Sequence, residues 1–307
     1  MSIFKCLLLA SLISQTLTVA YGEAHCPGHV ASLALRVVQS SLIVVQVKIN
    51  HFGPYDFLVD TGAQVSTIDP LLASELHLTA QGTTGVSGVA TYSRAGFAYL
   101  GLIEAGPNAV PNSLSVIQEM DQIKAADASI RGILGTDFLD HFDVLIDNRQ
   151  HILCLDNLER LASAINSEQI PLAEPPGSER DLPFMRPILV FAQLSGTGRT
   201  QVLLRLDSGS NVPLLYASKP LPADGSITPA PQLKRVVNGV EQGFAVLPPQ
   251  NLQIGKRSIK QVMFVQPLKA LGVGPTPRED GLLPTMAFQR VFISYAGRYA
   301  KLEEWRH

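Results

Sequence analysis

The chain has 307 residues, of which 46% are hydrophobic and 16% are charged, and its formal net charge is −2. This size and composition exclude a disordered chain and predict a folded protein with large apolar cores. Because the net charge is small and the basic residues are scattered, the sequence also argues against binding to nucleic acid.

The first residues have the order of a secretory signal peptide. Lys5 precedes an apolar stretch over residues 6–13, and small residues follow as far as Gly22. The apolar stretch is too short to remain as a membrane span. We therefore expect residues 1–22 to be removed on export, which leaves a periplasmic or extracellular protein without a membrane anchor.

The rest of the chain contains an internal repeat. Residues 41–68 and 186–215 each consist of an apolar β-rich run, a glycine turn, a second apolar run and the tripeptide Asp-(Thr/Ser)-Gly. A second pair of similar segments, 132–155 and 281–302, follows in the same order. Two halves with the same landmarks indicate a duplicated domain.

The repeat divides the chain into two lobes. We expect an N-terminal lobe over residues 23–158, a polar and proline-rich linker over 159–185, and a C-terminal lobe over 186–307. Short apolar runs at regular spacing predict an all-β fold with barrel-like domains. Helices are expected only as short pieces, near residues 70–76, 136–141 and 157–166.

The tripeptide Asp-(Thr/Ser)-Gly is common by chance, but here it ends an apolar strand in both repeats. The two runs Phe57–Ala63 and Gly132–Leu139 resemble the retropepsin and pepsin group of aspartic proteases. The resemblance implies two homologous β-barrel lobes with an active-site cleft between them. It also implies one catalytic aspartate from each lobe, Asp60 and Asp207, with a water molecule held between them.

The chemistry of peptide hydrolysis explains why two carboxyl groups are needed. One group must take a proton from water while another supplies a proton to the substrate. Two carboxyl groups in contact do not both ionise readily, so they share one proton and titrate as a unit. The sequence thus predicts an aspartic endopeptidase that acts on polypeptides as a monomer, without a metal or other cofactor.

Residues beside the aspartates are expected to support the catalytic loops. Gly62 and Gly209 permit tight turns and a close approach of backbone N–H groups to the carboxylates. The resemblance implies that the hydroxyl groups of Thr61 and Ser208 form hydrogen bonds to the opposite loop.

Two further features concern the loops around the cleft. Ser210 aligns with an alanine of lobe one, and we expect its hydroxyl to bind Asp207 and favour the ionised form. Two glycine-containing turns resemble flap hairpins by position, although ordinary surface turns are the alternative. The expected flap residues are Gly85, Val86, Ser87 and Gly88 in lobe one and Asn238 and Gly239 in lobe two.

The cysteines leave two possibilities open. Cys6 is in the expected signal segment, so Cys26 and Cys154 remain in the exported protein. They either form a disulfide or stay as two buried thiols. In related folds the terminal strands pair near the domain junction, which makes a Cys26–Cys154 bond reasonable.

The second lobe departs from the family pattern at two positions. Pro284 stands in place of Gly135 and removes a backbone donor. Arg205 stands in place of Leu58. If it points inward it would depress the pKa of the aspartate pair, but strand alternation is expected to send it to the outer face. These departures leave open a protease-fold protein that binds peptides without cleaving them. An actin-like ATPase is a weaker alternative, because that fold requires long helices between its strands.

Overall fold

The computed structural model describes residues 25–88, 92–174, 187–195, 201–216, 232–237, 240–268 and 278–305. In this part of the chain the fold is mostly β, with a few short helices, so the all-β prediction is confirmed. No helix in these ranges is long and apolar enough to cross a membrane. The expected signal segment and most of the second half of the expected linker lie outside the described residues.

The first half of the chain supplies eleven of the described strands and the described α-helices. The strands are β1 (Ser32–Ala34), β2 (Arg36–Val38), β3 (Leu42–Ile49), β4 (Phe52–Val59), β5 (Ser66–Ile68), β6 (Gly82–Ser87), β7 (Tyr92–Ala105), β8 (Asn108–Ile117), β9 (Ile130–Leu134), β10 (Asp143–Asp147) and β11 (Ile152–Asp156). The helices are α1 (Pro70–Glu75), α2 (Asp121–Ala126) and α3 (Thr136–Leu139), with a turn of 3-10 helix at Pro27–His29.

The second half continues with short strands. These are β12 (Ile170–Pro171), β13 (Leu189–Leu194), β14 (Val202–Asp207), β15 (Leu214–Leu215), β16 (Gln232–Val237), β17 (Val240–Val246), β18 (Gln250–Ile254), β19 (Arg257–Val262), β20 (Val265–Pro267), β21 (Gly281–Pro284), β22 (Arg290–Ser294) and β23 (Tyr299–Glu303). A second turn of 3-10 helix is at Thr285–Ala287.

The described strands form three sheets. Lobe one is an eight-stranded sheet in the order β2-β3-β4-β9-β5-β8-β7-β6, and a further pairing of β3 with β7 curls it towards a barrel. Lobe two is a nine-stranded sheet in the order β16-β17-β20-β15-β21-β14-β13-β18-β19. The two lobes have equivalent parallel pairs at their centres, β4 with β9 and β14 with β21.

A third sheet, shared by both halves, joins the lobes. Its order is β1-β11-β10-β22-β23-β12, so β10 of the first half pairs directly with β22 of the second. Leu145 and Phe292, which are equivalent in the two repeats, are partners in this antiparallel pair. The centre of the internal symmetry therefore passes through this sheet. Ile170 and Pro171, from the expected linker, form its edge strand.

Local sequence explains several of these elements. In β3 the side chains of Gln46 and Lys48 are exposed while those on the alternate positions are buried, as expected for a strand with one face on the core. Helix α1 begins where Asp69 accepts a hydrogen bond from the backbone N–H of Leu72, with Pro70 in the first turn. The helices expected near 70–76 and 136–141 are both present, although each is shorter than expected.

The helix expected over residues 157–166 is wrong, since this segment consists of turns. Glu159 has a left-handed backbone conformation with φ of 58°, which a continuous α-helix does not allow. The carboxylate of Asp156 instead accepts hydrogen bonds from the backbone and guanidinium of Arg160 and closes the turn.

Cys26 and Cys154 form a disulfide in the structure, with their Cα atoms 5.8 Å apart. Cys154 is on β11, and β1 pairs with this strand at the edge of the shared sheet. The bond therefore ties the segment before the first strand to the sheet that joins the lobes.

Gly132 on β9 and Gly281 on β21 occupy equivalent positions, and their surroundings leave no room for a side chain. A Cβ on Gly132 would lie 2.6 Å from the carbonyl oxygen of Thr67. A Cβ on Gly281 would overlap the carbonyl oxygen of Leu214, the residue equivalent to Thr67. Close backbone packing thus explains why both repeats have glycine here.

We expect Gly281→Ala to lower the free energy of unfolding by about 1–3 kcal/mol, because the backbone of Leu214 must move to admit the methyl group. Denaturant unfolding measures this change. Gly96→Ala is the matched control, since its Cβ would meet only the side chain of Ala80 at 3.1 Å among its near contacts. Equal stabilities of the Gly281 variant and wild type would contradict the expectation.

Candidate active site

In each repeat, the Asp-(Thr/Ser)-Gly tripeptide begins at the end of a central strand of its lobe. Asp60 comes directly after β4, and its backbone N–H donates to the carbonyl of Leu134 on β9 at 3.0 Å. Asp207 is the last residue of β14 and is the parallel partner of Pro284 on β21. The same strand arrangement therefore carries each aspartate to the same end of its lobe.

The loops that carry the aspartates cross each other closely. A Cβ on Gly62 would lie 2.6 Å from the carboxyl carbon of Asp207, and a Cβ on Gly209 would overlap the carboxyl group of Asp60. The two carboxyl groups are therefore close enough for the charge of Asp60 to raise the pKa of Asp207. Glycine is thus required in each loop because the aspartate of the other lobe occupies the space of a side chain.

Four hydrogen bonds of Thr61 and Ser208 hold the loops together. The Thr61 hydroxyl donates to the carbonyl of Leu206 at 2.9 Å, and the Ser208 hydroxyl donates to the carbonyl of Val59 at 2.7 Å. Each hydroxyl also accepts the other residue's backbone N–H, at 3.0 Å in both cases. Both side chains are buried, so the four bonds are shielded from water.

The carboxyl groups of Asp60 and Asp207 have perturbed pKa values. Burial raises the pKa of Asp60, while backbone N–H groups of Gly62 and Ala63 donate to its Oδ1 at 2.8 and 3.1 Å and oppose the rise. Burial and the charge of Asp60 raise the pKa of Asp207 well above its ordinary value. The N–H of Gly209 donates to Oδ1 of Asp207 at 2.8 Å. The pair therefore retains a proton above the pH at which an isolated aspartate ionises.

Arg205 does not lie on an outer, solvent-facing surface, so that expectation is wrong. Its Nη1 donates to the carbonyl of Gly62 in the opposite loop at 2.7 Å, and its Nη2 contacts Oε1 of Glu279 at 2.7 Å. Strand alternation does place it away from the core of lobe two. At this end of β14, however, the loop that carries Asp60 covers that face.

The hydroxyl of Ser210 does not bind Asp207 as expected. It donates to the carbonyl of Val212 at 3.0 Å, two residues further along its own loop. The nearby carbonyl satisfies the hydroxyl locally, which is a common alternative for serine in turns. Any asymmetry of the aspartate pair thus has another source.

Pro284 removes a donor that lobe two does not use. In lobe one the N–H of Gly135 donates to the hydroxyl of Ser66 at 3.0 Å. The residue equivalent to Ser66 in lobe two is Pro213, which has no hydroxyl. Two prolines have therefore replaced both partners of one hydrogen bond, and no acceptor is left without its donor at this point.

Asp137 is a partly buried polar residue for which the sequence predicted no role, although it lies in the Gly-Thr-Asp part of the motif. Its Oδ1 accepts from the backbone N–H of Ser66 at 2.7 Å and from the Ser66 hydroxyl at 2.8 Å. Burial raises the pKa of Asp137 to about 6. Asp137 and Ser66 thus anchor β5, the strand that follows the loop of Asp60.

The first expected flap forms a β-hairpin. Gly85, Val86 and Ser87 are in β6, and Ser87 pairs with Tyr92 of β7, whose side chain is exposed. Gly88 follows β6, and residues 89–91 lie outside the described residues. In lobe two, β16 and β17 pair up to Val237 and Val240, while Asn238 and Gly239 lie outside the described residues. Flap activity of either hairpin stays a prediction.

A protein-family model matches the first half of the site. Residues 45–138 match the aspartyl protease family model, a range that includes Asp60 and most of the downstream motif. A retropepsin-like aspartic protease from Rickettsia conorii is similar in structure, with 20% identity, a TM-score of 0.32, and coverage of 40% of this chain and 87% of that chain. Curated proteins give no significant match. The family-model match confirms the resemblance to aspartyl proteases over residues 45–138.

The raised pKa of Asp137 makes the folded state lose stability with rising pH. The folded state holds this proton more tightly than the unfolded state, so stability falls as the pH rises from about 4 to about 6. The loss is at most about 3 kcal/mol. We expect Asp137→Asn, which keeps the acceptor oxygen but cannot ionise, to be more stable than wild type at pH 7.5 and to lack this dependence.

The measurement is the free energy of unfolding at several pH values from 4 to 7.5, for wild type and variant. Asp121→Asn makes the same change of charge at an exposed position of α2 and serves as the control. Parallel stability curves for wild type and Asp137→Asn across this range would show that folding does not raise the pKa of Asp137.

Proposed function

We propose that this chain, which resembles retropepsin-like aspartic proteases, is an aspartic endopeptidase. The observation that carries the proposal is the contact of Asp60 and Asp207, two carboxyl groups from equivalent loops of the two lobes. An ion pair that only stabilises a fold gives no reason for two acidic side chains to be in contact. Catalysis by an acid and a base at one bond does require two such groups side by side.

The hydrogen bonds of the pair support different roles for the two carboxyl groups. Among the described residues, Asp60 accepts from two backbone N–H groups, while Asp207 accepts from one. Hydrogen bonds to a carboxylate favour its charged form. In the resting enzyme Asp60 is therefore the base and Asp207 holds the shared proton.

The reaction follows from these protonation states. Asp60 takes a proton from the water molecule, whose oxygen attacks the carbonyl carbon of the peptide bond, while Asp207 gives its proton to the carbonyl oxygen. The resulting tetrahedral intermediate collapses when the C–N bond breaks, Asp60 gives its proton to the nitrogen, and a hydroxyl group of the intermediate returns a proton to Asp207. The four bonds of Thr61 and Ser208 keep the two carboxyl groups aligned during both steps.

Digestion of a diverse peptide library between pH 3 and 7 tests the proposal. We expect wild type to cut internal peptide bonds, and Asp60→Asn and Asp207→Asn to lower kcat/KM by at least about 100-fold, because each change removes an acid or a base. Asp121→Asn is a control with the same change of charge at an exposed site. Unfolding temperatures of all four proteins establish that the variants are folded.

Two outcomes would change the interpretation. Cleavage that persists in either aspartate variant would mean that the pair is not the catalytic centre. Peptide binding without cleavage by folded wild type would favour the alternative of a protease-fold protein that binds peptides.

We also propose that the protein is exported and acts as a monomer on polypeptide substrates. Both carboxyl groups are on one chain, so a partner subunit is not needed to complete the pair. The disulfide between Cys26 and Cys154 fits an oxidising compartment such as the periplasm or the cell exterior.

Expression in a bacterial host with a periplasm tests the export proposal. We expect the protein in the periplasmic fraction, with an N-terminus close to residue 23, and no thiol that reacts with an alkylating agent until a reductant is added. Cys154→Ser is the control, since it leaves Cys26 as a thiol that reacts without reductant. A full-length cytoplasmic product would contradict the proposal.

A further inference from the structure

Arg205 and Glu279 form an ion pair beside the aspartate pair that the catalytic steps do not use. Glu279 is buried, and the side chain of Arg205 is 18% exposed. A buried ion pair carries a large cost of desolvation, and replacement by apolar residues is often neutral or stabilising. A pair at this position therefore calls for an explanation other than stability.

Lobe one has apolar residues at the equivalent positions. Leu58 corresponds to Arg205. Ile130 corresponds to Glu279, because each of these two residues lies two positions before the matching glycine of a central strand. Leu58 and Ile130 are both buried in one apolar cluster. The duplicated fold thus accepts apolar residues here, and the ion pair is a feature of lobe two alone.

The guanidinium of Arg205 connects the two lobes at the catalytic loops. One nitrogen, Nη1, binds the carbonyl of Gly62 in lobe one, and the other, Nη2, binds Glu279 in lobe two. The N–H of the same Gly62–Ala63 peptide unit, that of Ala63, donates to Oδ1 of Asp60 at 3.1 Å. The planar fork of arginine therefore fixes the peptide unit next to the base from the opposite lobe.

We propose that Arg205, held by Glu279, is a positioning residue for the aspartate pair. It fixes the loop of Asp60 through the Gly62 carbonyl and places one positive charge next to both carboxyl groups, from the lobe-two side only. This inference rests on the proposed protease function. It predicts that the ion pair of Arg205 and Glu279 sets the pH range in which the two aspartates share a single proton.

Electrostatics agrees with this geometry. The charge of Arg205 lowers the pKa of both aspartates and opposes the effect of burial. Two tyrosines also interact with the pair, and burial raises their pKa values, so both are neutral in the acidic range. Among the described residues, the ionisable groups near the pair thus include Arg205, Glu279, Tyr216 and Tyr295.

The decisive experiment compares the pH profiles of kcat/KM for wild type and variants. In Arg205→Leu, which installs the lobe-one residue, we expect both limbs of the profile to move to higher pH by about one unit. In Glu279→Gln, which leaves the arginine without its counter-charge, we expect both limbs to move to lower pH. We also expect kcat of Arg205→Leu to fall about 10–100-fold, because the loop of Asp60 is no longer fixed.

Variants with matched chemistry separate positioning from folding. Arg205→Lys keeps the charge without the fork, so we expect limbs at the wild-type pH with a reduced kcat. The double variant Arg205→Leu/Glu279→Gln leaves no unpaired buried charge and folds even if Arg205→Leu does not. Its limbs are also expected at higher pH. Arg131→Leu removes an arginine that pairs with Asp69 and Glu75 instead of a catalytic loop, and its limbs should not move.

A second measurement does not depend on activity. Carboxyl signals of ¹³C-labelled aspartate, assigned by their loss in Asp60→Asn and Asp207→Asn, report the titration of the pair directly. We expect the titration midpoints to rise in the double variant and to fall in Glu279→Gln. Unchanged midpoints, or shifts of one sign in both, would overturn the proposal. Absence of cleavage by wild type, with the expected midpoint shifts, would instead contradict the protease function alone.

Discussion

The close crossing of the two aspartate loops is the constraint on which the rest of the structure depends. Gly62 and Gly209 each lie against the carboxyl group of the other lobe, so neither loop has space to relax independently. The bonds of Thr61 and Ser208 close the crossing with buried donors and acceptors. Separation of the lobes would leave these groups without partners, which makes the lobes act as one unit at this point.

The shared sheet explains how a duplicated chain keeps this crossing in register. Leu145 and Phe292 meet across the antiparallel pair of β10 and β22, and the repeats extend from this centre to equivalent loops. The disulfide of Cys154 attaches the segment before the first strand to the same sheet. The shared sheet is thus stabilised by backbone pairing and by a covalent bond, at positions distant along the chain from the two aspartates.

Differences between the lobes have accumulated around a symmetric centre. Ser66 in lobe one is replaced by a proline in lobe two, where Pro284 also removes the matching donor. Both partners of the hydrogen bond are therefore lost together. Arg205 is not balanced in this way, because it reaches across the symmetry axis to lobe one. A duplicated single chain allows such one-sided contacts, which a symmetric dimer would be forced to make twice. The two carboxyl groups can therefore differ in charge and role.

The sequence by itself determined the duplication, the all-β class, the two aspartates and the glycines beside them, because these features repeat in chain order and follow from strand periodicity and turn chemistry. Tertiary structure alone decided where Arg205 and the Ser210 hydroxyl point. Alternation along a strand states which face a side chain takes, but the neighbour that covers that face comes from the other lobe. Likewise, the pKa of Asp137 depends on burial by residues distant in sequence. Such contacts have no signature in local sequence.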